Sequence, residues 1–192
     1  MSHARNTVCQ PSCVTPLPPV GSLRRSVALF RAFRVEQSDP DRFYSLLAAD
    51  SVREASRWSD LNGGAVLDVG GGPGYCAAAF RAAGASYAGV DPDVGELTAR
   101  GEADTNTVRA SGLCLPFADA SLDLTYSSNV LEHVRDPEDM AREMLRVTKP
   151  AGTVLISWNP WLSPWGGHET APWHYLGGRY AAARYAARHG PR

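Results

Sequence analysis

The chain has 192 residues, enough for one domain of ordinary size. Its 44% hydrophobic and 20% charged residues are a globular composition, far from a disordered or collagen-like one. Nineteen Lys and Arg against twenty Asp and Glu leave a formal charge of −1, so no chain-wide basic field draws in a nucleic acid or an anionic surface. Four cysteines (Cys9, Cys13, Cys76, Cys114) form no C-x-x-C pair, which speaks against a zinc ribbon or a disulfide framework. No apolar run reaches transmembrane length and no signal-peptide h-region follows the N-terminus, so the expected setting is the cytoplasm.

Residues 1–21 carry Pro11, Pro16, Pro18 and Pro19 and few large apolar side chains, and read as a disordered leader. Residues 22–60 read as two amphipathic helices that pack on the following domain. The first has Leu23, Val27, Phe30 and Arg34 on a helical repeat, with Phe33 beside them. The second is opened by Ser38-Asp39-Pro40 and has Phe43, Leu46, Leu47, Val52 and Trp58 as its apolar side.

From residue 61 to 159 strands alternate with helices. Ala65 to Val69, Ser86 to Val90, Thr107 to Ala110, Leu122 to Ser127 and Thr153 to Trp158 read as strands. Tyr75 to Ala83, Val94 to Gly101 and Asp136 to Val147 read as the helices between them, the last closed by Lys149-Pro150-Ala151-Gly152. This is an α/β pattern: a Rossmann-like, doubly wound, mainly parallel sheet with helices on both faces. Ligands of such sheets bind beyond the carboxyl ends of the strands. Residues 160–192 hold a Trp-rich acceptor-side segment and an alanine- and arginine-rich helix from Tyr180 to His189.

The chemistry concentrates at Val66-Leu67-Asp68-Val69-Gly70-Gly71-Gly72-Pro73-Gly74. A phosphate-binding P-loop needs G-x-x-x-x-G-K-[ST], but the only lysine is Lys149. A dinucleotide G-x-G-x-x-G fits poorly: counted from Gly70 its last position is Tyr75, and counted from Gly71 its second is Pro73. What fits is acid-x-G-x-G-x-G, with Asp68, Gly70, Gly72 and Gly74. At the end of the second strand stands Asp91, where a carboxylate can accept from both hydroxyls of a ribose. Together these describe a nucleoside site. An NAD-linked oxidoreductase, disfavoured by the glycine spacing, and a noncatalytic adenosine-ligand binding module remain the alternatives.

With these residues in view the chain resembles the class I S-adenosylmethionine-dependent methyltransferases of the small type 11 group, including uncharacterised actinobacterial members. The resemblance spans Ala65 to Asn159 through four ordered blocks: VLDVGGGPG, YAGVDPD, LPFADASLDLTYSSNVLEHV and EMLRVTKPAGTVLISW. It implies S-adenosyl-L-methionine as cofactor, with the glycine loop at its methionine part and Asp91 at its ribose. Asp68 is expected to orient the loop or meet the amino group. Where the family often has Gly-Asp near the adenine, this chain has Ala110-Ser111, leaving that contact to the Ser111 hydroxyl and to Leu113. Asn129 follows the fourth strand and completes the expected cofactor set.

The resemblance implies methyl transfer by in-line displacement to a small-molecule or lipid-linked acceptor, with no metal. His133, His168 and His174 are the candidate general bases, because a neutral imidazole can take a proton from an acceptor hydroxyl or amine. H-E-x-x-H zinc spacing is absent. The family sheet carries two further strands, so the chain is expected to be truncated and to leave an apolar strand edge open to self-association.

Overall fold

A computed structural model describes residues 18–36, 38–101, 104–163, 167 and 170–190. Most of the expected leader, along with His168, lies outside the described residues. Helix α1 (Leu23–Phe33) starts where the Ser22 hydroxyl accepts from the Arg25 amide, and α2 (Pro40–Ala55) starts where Asp39 does the same for Arg42. Proline at the first position of α2 needs no amide partner there. Trp58 is not part of that helix: α2 stops at Ala55, and the indole lies on the surface, donating to Glu54.

Strand β1 (Ala65–Val69) leads through the glycine turn into α3 (Tyr75–Ala82), then β2 (Ser86–Asp91), α4 (Val94–Thr98), β3 (Thr107–Arg109) and β4 (Leu122–Ser128). A short 3-10 turn (Leu131–His133), α5 (Pro137–Val147) and β5 (Thr148–Ser157) follow, and α6 (Gly178–His189) closes the described chain. The expected turn at Lys149–Gly152 is instead drawn into β5. That strand pairs from Thr148 opposite Leu122, then slips register before Thr153 meets Leu124. The extra residues are taken up as an irregularity in the ladder, so helix and strand join without a separate loop.

The strand order is β3-β2-β1-β4-β5, and every pair is parallel. Alternation along β1 sends Val66 to one face and Leu67 to the other. Val66 joins Phe80, Tyr87, Leu124 and Tyr126 under α2 and α3, while Leu67 joins Val69, Val90, Met140 and Met144 under α5. Two cores, one on each side, make the sheet doubly covered. The order in which strands are added reverses between β1 and β4, so the loops diverge there and leave a crevice at the carboxyl edge. Among the described residues no helix is long and apolar enough to cross a membrane.

Candidate functional site

Gly70, Gly72 and Gly74 all adopt positive φ, of 79°, 48° and 77°. The turn folds back on β2: the Gly70 amide donates to the Val90 carbonyl at 2.8 Å and the Gly71 amide to the same oxygen at 3.3 Å. A Cβ on Gly70 would stand 2.3 Å from Val130 Cγ2, whereas at Gly72 and Gly74 it would meet nothing closer than 3.9 Å. The first glycine is therefore demanded by packing. The other two leave open backbone toward the crevice, which is the surface a ligand needs for close approach.

Asp91 ends β2 and is largely buried. One carboxylate oxygen accepts from the Gly72 amide at 3.2 Å and the other from the Asp93 amide at 2.9 Å. A carboxylate has about four acceptor sites, so both oxygens keep capacity for a pair of hydroxyls. These residues fit a nucleoside: an open glycine backbone beside a strand-end acid with acceptor capacity left.

Asp68 sits beneath the turn, sealed from solvent, and accepts from the Tyr87 hydroxyl at 2.9 Å. Burial pushes its carboxyl up to about 7, the Tyr87 hydrogen bond opposing this and the Asp91 charge adding to it. Burial and the Asp68 charge likewise push the Cys76 thiol up. Because the acid is raised in the fold, the folded state holds the proton that the unfolded chain releases. Stability should therefore decline as pH rises from about 4 to about 7 and level off above that. Asp68→Asn keeps an acceptor for Tyr87 and removes the titration. Its thermal stability should lose this slope and exceed the parent's above neutrality, as melts across a pH series will show.

Ala110 donates to the Asp91 carbonyl at 3.2 Å, which brings the following loop to the same edge. There the exposed Ser111 hydroxyl accepts from the Leu113 amide at 3.2 Å. Farther along, Glu143 accepts from the Leu115 amide, and Arg146 donates to the Leu115 and Phe117 carbonyls. The Arg146 guanidinium holds the Glu143 carboxyl down at about 2.

Asn129 adopts φ of 56°, where an asparagine is tolerated, and its amide donates to the Ser157 carbonyl. Its side-chain oxygen accepts from Asn159 Nδ2 at 3.0 Å, and the Ser157 hydroxyl donates to that of Ser128 at 2.9 Å. This polar group lines a cavity of about 450 Å³ that also includes His133 and Trp158. The opposite wall is formed by the N-terminal helices, through Leu29 and Phe33 of α1 and Phe43, Tyr44 and Leu47 of α2.

The cavity's helical wall is tied down by contacts between residues far apart in sequence. The buried Asp50 carboxylate takes Arg25 in a forked contact, at 2.9 Å from Nε, and Arg53 at 2.8 Å. Tyr126 donates to the Ser51 hydroxyl at 2.7 Å, joining β4 to α2. Tyr75, the residue after the glycine turn, stacks on Tyr44 at 5.0 Å, donates to Asp41 at 2.8 Å and lies under the Arg100 guanidinium at 4.3 Å. Sequence reading missed this clamp. The available signal was Asp50, an acid on an otherwise apolar helix side.

The candidate residues thus divide. Asp68, the glycines, Asp91, Ser111 and Leu113 gather at the ends of β1, β2 and β3, and Asn129 and His133 face the cavity over β4 and β5. His174 does not join them: it is 1% exposed within the C-terminal segment, with Nε2 at 3.1 Å from the Ser163 carbonyl oxygen and its ring against Trp161. It is buried by its own segment, away from the cavity lining.

Fold and site define a parallel-sheet protein with an open glycine turn beside a strand-end acid and a cavity over the ends of β4 and β5. The methyltransferase domain family matches residues 67–156. An uncharacterised methyltransferase of Mycobacterium avium is 54% identical over 179 residues, covering 88% of this chain and 71% of the relative. One from Mycolicibacterium gilvum is 51% identical over 181 residues, covering 89% and 71%. A solved SAM-dependent methyltransferase from Thermotoga maritima shares the fold, with a TM-score of 0.54 and 22% identity over 82% of this chain and 69% of that one. The chain belongs to the methyltransferase family, whose methyl donor is S-adenosyl-L-methionine. That membership decides between the readings the glycine turn left open, in favour of a methyl-transferring enzyme over an NAD-linked one.

Proposed function

We propose that the chain methylates a small-molecule or lipid-linked acceptor held in the cavity between α1, α2 and the ends of β4 and β5. The observation that carries this reading is adjacency across the switch point: the glycine cradle and Asp91 crown β1 and β2, and the cavity opens over β4, which pairs with β1, and over β5 beyond it. Its volume, about 450 Å³, lies within the range of small-ligand sites. Leu29, Phe33, Phe43 and Trp158 suit an apolar body, and Ser128, Asn129, Ser157 and Asn159 suit a hydrogen-bonding head.

The backbone of Gly70 to Gly74 would hold the methionine part of the cofactor, Asp91 its ribose, and Ser111 with Leu113 its adenine. S-adenosylmethionine, when bound, supplies an electrophilic methyl group on a positively charged sulfur. Asp68 supports the turn from below, its oxygen fixed by Tyr87. The α1–α2 wall shields the acceptor from water, and holding it in line with the donor supplies much of the acceleration. His133, on the turn after β4, takes the proton from an acceptor hydroxyl or amine.

Titration calorimetry with S-adenosylhomocysteine tests the cofactor half, and absence of heat from folded protein removes it. For the acceptor half, labelled methyl from the donor should appear in the small-molecule or lipid fraction of a cell extract. Label found in protein or nucleic acid overturns the acceptor reading. His133→Ala should lower turnover by roughly a hundredfold, the lower end of general-base effects, and leave S-adenosylhomocysteine affinity unchanged. Equal turnover in the variant removes His133 as the base.

A further inference from the structure

Helix α1 has two faces with different fates. Arg25, Leu29 and Phe33 line the cavity, and Ala32 is buried. Leu23, Val27 and Phe30, spaced i, i+4 and i+7, form a stripe on the other side and are 80%, 40% and 41% exposed. Arg34, at the C-cap, continues that stripe, and Arg24 and Arg31 flank it, all three exposed. The helix contains no acidic residue, and among the described residues no ion pair includes Arg24, Arg31 or Arg34. The one arginine of α1 that is neutralised, Arg25, is the one turned inward to Asp50.

We propose that this outer face of α1 docks the protein on an anionic lipid surface, with Leu23, Val27 and Phe30 entering the headgroup boundary and the three arginines meeting lipid phosphates. An apolar stripe whose only charged neighbours on the helix are arginines is the pattern of a helix that lies in a membrane interface. A second copy of the chain is a poor occupant, because a two-fold contact across α1 sets its arginines against their own counterparts. Trp158 is half exposed while lining the cavity, and Trp161 and Leu162 are exposed too. Because Leu29 and Phe33 on its inner face line the cavity, docking of α1 brings a wall of the cavity to the lipid. The docking face is read by lipid binding alone, so it stands or falls apart from the choice of acceptor.

The test is co-sedimentation of the full chain with vesicles of phosphatidylcholine alone and of phosphatidylcholine with about one-third phosphatidylglycerol. Anionic vesicles should bind at least ~10-fold more strongly, since each exposed arginine near such a surface contributes about fivefold at low salt, and added salt should reverse the gain. Leu23→Glu with Val27→Glu should abolish binding while S-adenosylhomocysteine titration stays at the parent value, because neither side chain lines the cavity. Should that pair fail to fold, Arg24→Gln with Arg31→Gln, both at exposed positions, should cut binding to anionic vesicles on the order of tenfold or more. The proposal is overturned by no binding, by equal binding to both vesicles, by variants that bind like the parent, or by a dimer in sedimentation equilibrium that the Leu23 and Val27 changes dissolve in place of any vesicle effect.

Discussion

Replacing Asp91 with alanine is expected to lower affinity for S-adenosylhomocysteine on the order of a hundredfold or more. The side chain holds the Gly72 and Asp93 amides at 3.2 and 2.9 Å, so its loss releases the glycine turn and the start of α4 together. It is also the acid placed to receive the ribose hydroxyls, and hydrogen bonds to a charged group are worth about 1.5–3 kcal/mol each. Asp91→Asn keeps the shape and one acceptor oxygen, so its affinity should fall between the two. Calorimetry on protein whose melt is close to the parent's checks both. Parent-like binding by the alanine variant would mean that the nucleoside lies elsewhere, and the reading of the whole β1–β2 edge would go with it.

The second large effect concerns the turn itself. Gly70→Ala places a methyl group in a backbone of φ 79° and 2.3 Å from a Val130 methyl. The left-handed conformation costs a non-glycine residue roughly 1–2 kcal/mol, and overpacking adds about 1–3 kcal/mol. A loss of about 2–5 kcal/mol should lower the melting temperature by roughly 4–20 °C for a chain of this size. Adding Val130→Ala should recover the packing part but not the conformational part, so the double-variant cycle separates them. Gly72→Ala is the contrast. Its Cβ would enter open space, so its stability cost should be confined to the φ of 48°, while ligand affinity falls because the new methyl occupies the face the ligand approaches. If Gly70→Ala melts like the parent, the turn is not packed against Val130 as described.

Both substitutions bear on the part of the protein that local pattern made legible. The glycine spacing, the two acids at strand ends and the alternation of five strands with helices are short-range signals, each carried by a few adjacent residues. Backbone conformation and side-chain period act over the same distance, which is why the strands and the cradle could be read in order. Errors fell at boundaries: α2 stops before Trp58, and the Lys149–Gly152 segment enters β5, because pairing with β4 outweighs the local turn tendency.

The periodicity of α1 shows a different limit. Leu23, Val27 and Phe30 mark the helix correctly, yet they are the exposed side. The inner side is chosen by partners distant in sequence, above all Asp50, which takes Arg25 inward. No window of the sequence contains both ends of that pair.

What the sequence by itself determined is the α/β alternation, the glycine turn with its two strand-end acids, and the family, all encoded in contiguous motifs. Tertiary structure decided that the N-terminal helices wall the cavity, that Tyr75 is clamped between α2 and Arg100, that His133 faces the cavity while His174 is buried elsewhere, and which face of α1 meets solvent. The reason is that these depend on which surfaces meet once the chain has folded. A residue's type and spacing state what chemistry it can perform, and only packing states what it performs it on.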